Sequence, residues 1–140
     1  MSKNLLLGSK IPWDKIKSKD FEEVLYWLFV ELGAKDIRWR IGGSKDGASD
    51  GGRDIELTFY SEGPDGLPKK ESWWIEAKSR KNKLEKSSVQ NTILNTTNQN
   101  NLDVLVIATS GYFTNPTRDW VTDYQKNIHI RESNCRKNRS

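Results

Sequence analysis

The stretch from Asp54 to Lys78 constrains this chain most, because two strand-like runs there flank Gly63-Pro64-Asp65-Gly66. Gly, Pro and Asp are residue types that reverse a chain, so the two runs are expected to fold back as an antiparallel hairpin. With the turn centred on Asp65, residues equidistant from it lie opposite one another: Asp54 faces Glu76, and Glu56 faces Trp74. Side chains on a strand alternate between faces. Asp54, Glu56, Trp74, Glu76 and Lys78 are therefore expected on one side of the sheet, with Ile55, Leu57, Trp73, Ile75 and Ala77 on the other.

Directly opposed residues hold their Cβ atoms about 4.5–5.5 Å apart, close enough for Asp54 and Glu76 to share one cation and close enough to repel without it. Mg²⁺ takes oxygen ligands and keeps several waters, so two carboxylates with one backbone carbonyl, here that of Ala77, make a suitable site. Such an ion acidifies bound water and polarises a phosphoryl oxygen. Lys78 would stand beside that water, able to orient it or to stabilise charge developing on the phosphate.

An acidic residue at a strand end followed by Glu-x-Lys on the next strand resembles the PD-(D/E)xK nuclease superfamily, and the surroundings resemble its Mrr-type restriction endonuclease branch. The resemblance runs over roughly residues 18–125. It is carried by Phe21-Glu22 opening a helix that ends at Leu32-Gly33, by Asp50-Gly51-Gly52-Arg53-Asp54-Ile55, by Ile75-Glu76-Ala77-Lys78, and by residues 105–114, which run through Thr109-Ser110-Gly111. It implies that Asp54 and Glu76 are metal ligands and Lys78 the catalytic lysine. Glu22 matches a position that in relatives often adds an acidic group, and Gln90 falls where some relatives carry a glutamine. The aromatic residue that some branches place four positions later is Leu94 here.

The resemblance implies an α/β fold of the restriction-endonuclease type, a three-layer sandwich with a central mixed sheet of about five strands and helices on both faces. The implied activity is Mg²⁺-dependent hydrolysis of DNA, with Mn²⁺ as a substitute, in defence against foreign DNA. Expected partners are DNA, a recognition or sensor domain fused to or assembled with this one, and further copies of the chain in the active form. RNA or branched DNA as substrate, and a catalytically silent nucleic-acid-binding module, stay open as alternatives.

Composition narrows the remaining classes. One histidine, His129, and one cysteine, Cys135, leave no disulfide framework, zinc site or His-assisted nucleophile. A 34% hydrophobic, 30% charged chain of 140 residues suits a globular domain, and its net charge of +4 suits a polyanion. No apolar run is long enough to span a membrane, so the cytoplasm is the expected location.

Along the chain, residues 1–17 read as an arm anchored at Pro12-Trp13, residues 18–132 as the nuclease domain and residues 133–140 as a basic tail. A helix over residues 20–32 presents Phe21, Val24, Leu25, Leu28, Phe29 and Leu32, with Ser18 as N-cap and Gly33 as its stop. A short strand over 37–41, a polar loop over 42–52 and the hairpin follow. The connection over 79–86 carries Arg80, Lys81, Lys83 and Lys86, expected to touch phosphate beside the site. A polar helix over 87–98 packs Val89, Ile93 and Leu94, an apolar strand spans 102–108, and a helix capped by Thr114 or Asn115 runs to about Tyr124. Residues 128–130 are expected to form a last strand. Asp50 reads as a turn former or an extra acid at the site, Glu56 as an acid further along its strand, and Trp27 and Trp39 as packing residues. Trp74 alone among the tryptophans is expected on the face of the site.

Overall fold

The computed structural model describes residues 15–40, 54–97 and 99–137, with side chains to residue 128. The Pro12-Trp13 anchor, the 42–52 loop, Asp50, and the residues from His129 to the tail as side chains lie outside the described residues. Helix α1 (Ser18–Glu31) leads into β1 (Lys35–Trp39); β2 (Ile55–Glu62) and β3 (Pro68–Lys78) form the hairpin. β4 (Lys83–Leu84) precedes helix α2 (Lys86–Thr96), and β5 (Val104–Thr109), β6 (Tyr112–Phe113) and helix α3 (Asn115–Lys137) complete the order.

The fold is α/β as expected, and among the described residues its mixed sheet has four strands ordered β1-β2-β3-β5; β4 and β6 form a separate two-stranded ladder. β1 and β2, and β2 and β3, pair antiparallel, whereas β5 runs parallel to β3, as the helical crossover through α2 requires. The hairpin has the expected register, with Glu56 opposite Trp74 and Ile55 opposite Ile75. Gly66 takes φ +74 in the turn and the Asp65 carboxylate accepts the Leu67 amide, so the turn residues act as their chemistry predicts.

Alternation sorts the sheet into two faces. Ile55, Leu57 and Ile75 pack with Phe21, Leu25 and Phe29 of α1, and Ile55 and Ile75 are wholly buried. Each such isoleucine contributes about 1.5–3 kcal/mol relative to exposure. Trp73 joins this face against Phe59 and Phe29, with ring centroids 4.8 and 6.3 Å away. The opposite face carries Glu56, Trp74, Glu76 and Lys78, whose neighbours on β5 are Leu105, Ile107 and Thr109. Val89 and Ile93 of α2 and Thr117 and Val121 of α3 line a groove with Leu105 and Ile107, which places these helices over that side.

Several local expectations are corrected. Helix α1 starts at Ser18 with Lys17 at the cap and no side-chain cap bond, while Gly33 at φ +90 closes it as expected, its amide bonding to Val30 and that of Ala34 to Phe29. Only the Phe21, Leu25 and Phe29 row of α1 is buried; Val24, Leu28, Leu32 and Trp27, the last 56% exposed, are not. On α2, Val89, Thr92 and Thr96 are buried, whereas Leu94 is exposed, because the threonine hydroxyls satisfy themselves on Ser88 and Thr92 carbonyls and can enter the interior. Residues 128–130 form no strand: α3 continues through them to Lys137. Thr114 caps this helix through the Thr117 amide, 3.4 Å from its hydroxyl.

Candidate active site

Asp54 stands one residue before β2, and its position departs from simple alternation. Its amide donates to the Ile75 carbonyl at 3.0 Å, although Ile75 is already the ladder partner of Ile55. Two successive residues thus address one residue of β3, the arrangement of a β-bulge, which re-aims a side chain at a strand end. The Asp54 carboxylate accepts the Ala77 amide at 2.6 Å, and its carbonyl accepts the Arg40 amide at 2.9 Å, so the chain is held from both neighbouring strands.

Re-aimed in this way, Asp54 meets Glu22 of α1, a residue that plain alternation would have kept apart from the Glu76 face. Phe21, almost wholly buried, fixes this part of the helix against the sheet. Burial raises the pKa of Glu22; the negative charge of the Asp54 carboxylate and a hydrogen bond between the two acids add to the rise. Burial also raises the pKa of Asp54; the Ala77 amide, the hydrogen bond with Glu22 and the Lys78 charge oppose the shift, while the negative charge of Glu76 adds to it. The Trp39 indole N–H is buried without a complete hydrogen bond, yet lies near enough to Glu22 to pull its pKa down slightly. Stacking on Tyr26, 5.6 Å between centroids, fixes the Trp39 ring.

Glu76 and Lys78 lie two residues apart on one face of β3, and Lys78 Nζ sits 2.7 Å from Glu76 Oε1. Both side chains are largely buried, at 13% and 19% exposure, so this pair is less screened than a surface ion pair. The second carboxylate oxygen, Glu76 Oε2, is buried with no hydrogen-bond partner. An orphaned carboxylate oxygen is costly unless something fills its lone pairs. Asp54 and Glu76 are hard oxygen donors, and the pKa values of Asp54 and Glu22 are raised from the ordinary carboxylate values, a shift that a bound cation would oppose. The donor chemistry therefore fits a divalent ion. Among the described residues no group of three or more His, Cys, Asp or Glu is arranged to hold one, so the fit rests on Asp54 and Glu76 with backbone and water. The Ala77 residue sits between them, in register with Ala108 of β5.

The remaining candidates lie around this centre. Gln90 is on α2, and no hydrogen bond among the described residues joins it to Asp54, Glu76 or Lys78. Glu56 is turned away into an ion pair with Arg40 at 3.1 Å. Arg80 is engaged internally, with Nε 3.2 Å from Glu85 Oε2 and Nη1 donating to the Ser79 carbonyl. Lys81, Lys83 and Lys86 are exposed.

One supporting device was not read from the sequence. Ser110, at the end of β5, accepts the Arg80 amide at 3.0 Å and donates to the Arg80 carbonyl at 3.1 Å. The Tyr112 amide then bonds to the Asn82 carbonyl at 3.2 Å, and Leu84, wholly buried, anchors the segment. These ties fix the chain that leaves Lys78. Gly111 is required there, because a Cβ at that position would meet the Asn82 carbonyl oxygen at 1.9 Å. The Thr109-Ser110-Gly111 string was the available signal, but its partners lie about thirty residues earlier.

No curated protein and no solved structure matches the chain. The Mrr_cat family model, described as restriction endonuclease, matches residues 13–134, which takes in α1, the hairpin, the β3 site and nearly all of α3. With most of its length matched, the chain belongs to this restriction endonuclease family, whose catalytic domain is of the PD-(D/E)xK type.

Proposed function

We propose that this member of the family is a divalent-metal-dependent endonuclease that hydrolyses DNA phosphodiester bonds, using Asp54, Glu76 and Lys78. The observation that carries the reading is the orphaned, buried Glu76 Oε2, with Lys78 Nζ on the other oxygen of the same Glu76 and the Glu76 charge felt by Asp54. Asp54 and Glu76 would hold Mg²⁺, with Mn²⁺ as a substitute. The ion would supply a more acidic water and charge stabilisation on the phosphate oxygen.

The chain's own residues supply the positioning. The Ala77 amide fixes one Asp54 oxygen and so orients the carboxylate. Lys78 carries three N–H donors, one spent on Glu76 Oε1; the other two are available to orient a water or to meet a phosphate oxygen as it gains charge. Glu22, hydrogen-bonded to Asp54, would add a third acid at the edge of the site. Family membership supports DNA as the substrate and a role in defence against foreign DNA.

The test is incubation of the protein with supercoiled plasmid, linear duplex and RNA, each with Mg²⁺, Mn²⁺ or EDTA. Nicking or linearisation of DNA that requires metal and vanishes in Asp54→Ala and Glu76→Ala is expected. Cleavage by either variant at the wild-type rate would overturn the assignment.

A further inference from the structure

The two outer strands of the sheet, β1 and β5, have opposite characters. β1 carries the charged residues Lys35, Asp36 and Arg38, shifts register between Lys35 and Arg38, and holds Asp36 at φ 52. Charges and bulges are devices that keep an edge from pairing with another strand. β5 reads Val104-Leu105-Val106-Ile107-Ala108-Thr109, with no charge, glycine or proline, and follows β3 without a shift. All of its residues are only half-buried, although a strand covered on every side would be buried throughout.

Backbone directions identify which groups of β5 face outward. The Ile75 carbonyl accepts the Asp54 amide and the Ala77 amide donates to the Asp54 carboxylate, so the odd-numbered residues of β3 address β2. The even-numbered residues address β5, as Ser72 does by bonding to Asp103 through its amide and its carbonyl. In a parallel ladder such a residue bonds to the two residues flanking its partner. Trp74 and Glu76, in register with Leu105 and Ile107, thus address Val104, Val106 and Ala108. Leu105 and Ile107 direct their N–H and C=O groups outward. Among the described residues no strand pairs there and no backbone hydrogen bond reaches them.

Both faces beside this edge are apolar. Val106 and Ala108 pack against the core on the α1 side, while Leu105 and Ile107 line a groove of about 450 Å³ with Val89 and Ile93 of α2 and Val121 of α3. A strand added here needs apolar side chains on both of its own faces, and among the described strands longer than two residues β5 alone has them. A second β5, antiparallel about a two-fold axis at Val106, sets Leu105 opposite Ile107 and Val104 opposite Ala108, so every one of these pairs is aliphatic. Leu105 and Ile107 of the second copy then exchange both N–H···O bonds. Beyond them Asp103 meets Thr109, and no like charges oppose one another.

We propose that β5 is a dimerisation edge: two copies of this chain pair β5 to β5, antiparallel, and join their four-stranded sheets into one. The two-fold axis stands perpendicular to the sheet, so the apolar grooves of both copies open on the same side. Glu76 and Lys78 lie on β3 and Asp54 just before β2, inward of this edge, so the interface is independent of the nuclease reading.

The test is analytical ultracentrifugation of the full chain from about 1 to about 500 μM, with amide hydrogen exchange resolved by residue over the same range. The expected result is an equilibrium between monomer and dimer in which the Leu105 and Ile107 amides gain protection as the dimer forms. Val106 and Ala108, bonded within the chain, should be protected throughout. Leu105→Pro removes an outward N–H and leaves the ladder to β3 intact, a place where an edge strand tolerates proline. Loss of that donor from both copies should weaken the dimer at least about fivefold. Exchange in the wild-type protein decides the question even where Leu105→Pro destabilises the fold. A monomer at every concentration, with Leu105 and Ile107 exchanging freely, would overturn the proposal. Protection of these two amides in the monomer would overturn it as well, by showing that another part of the chain covers the edge. A dimer that leaves them unprotected, or that Leu105→Pro does not weaken, would place the contact elsewhere and refute it.

Discussion

Gly111→Ala tests whether the segment leaving Lys78 is held as tightly as the geometry indicates. Gly111 does not take a positive φ, so alanine meets no backbone penalty and would by itself stabilise the chain by about 0.4–1 kcal/mol through the unfolded state. Against this stands a contact of 1.9 Å between the added Cβ and the Asn82 carbonyl oxygen, a backbone atom that cannot rotate away. Heavy atoms settle at about 3.5 Å or more, so the two segments must separate by well over 1 Å. Overpacking of this kind costs about 1–3 kcal/mol, and loss of the Tyr112 to Asn82 hydrogen bond adds about 0.5–1.5. The net expectation is a loss of about 1–4 kcal/mol, or about 4–15 °C in Tm for a domain of this size. Gly66→Ala is the contrast: there is open space around Gly66 but φ is +74, so the loss is purely conformational, about 1–2 kcal/mol. Thermal melts of both variants, together with plasmid nicking rates, check the reasoning. Since Asn82 lies four residues past Lys78, Gly111→Ala should also slow cleavage. A Tm within about 2 °C of wild type would refute the close approach.

Lys78→Ala should leave metal binding by calorimetry largely intact while cleavage falls by orders of magnitude, because the lysine acts on water or phosphate; equal losses of both would make it a structural partner of Glu76 instead. The Glu22 and Asp54 pair binds protons more tightly folded than unfolded, so its contribution to stability is fullest below the ordinary carboxylate pKa, about 4, and is lost as pH rises through the raised folded values. Glu22→Gln should accordingly gain in Tm relative to wild type as pH rises from about 4 to 8, and added Mg²⁺ should narrow that gap; a difference independent of pH would contradict the raised carboxyl pKa values. If Lys81 and Lys83 touch duplex DNA, changing both to Ala should flatten the slope of log K against log salt by about 1–2 units, whereas Arg80→Ala should lower Tm through lost contacts to Glu85 and Ser79.

The sequence by itself determined the hairpin, its register and the face that carries Glu76 and Lys78, because turn chemistry and a period of two are local rules. It also carried the family, through motifs whose order survives without knowledge of contacts. What it left undecided are choices made by docking. Six apolar residues on α1 form two neighbouring rows four apart, Phe21, Leu25, Phe29 and Val24, Leu28, Leu32; only the angle at which the helix meets the sheet selects the first row for burial. Residues 128–130 have a strand-like composition, yet they continue a helix already nucleated at Thr114, where each further residue adds a backbone bond without a new turn to close. The bulge at Asp54 is likewise tertiary: the Ile75 carbonyl and Ala77 amide that create it belong to another strand, more than twenty residues away. That bulge brings an aspartate expected opposite Glu76 into contact with Glu22 of the helix, a pairing that strand alternation alone does not predict.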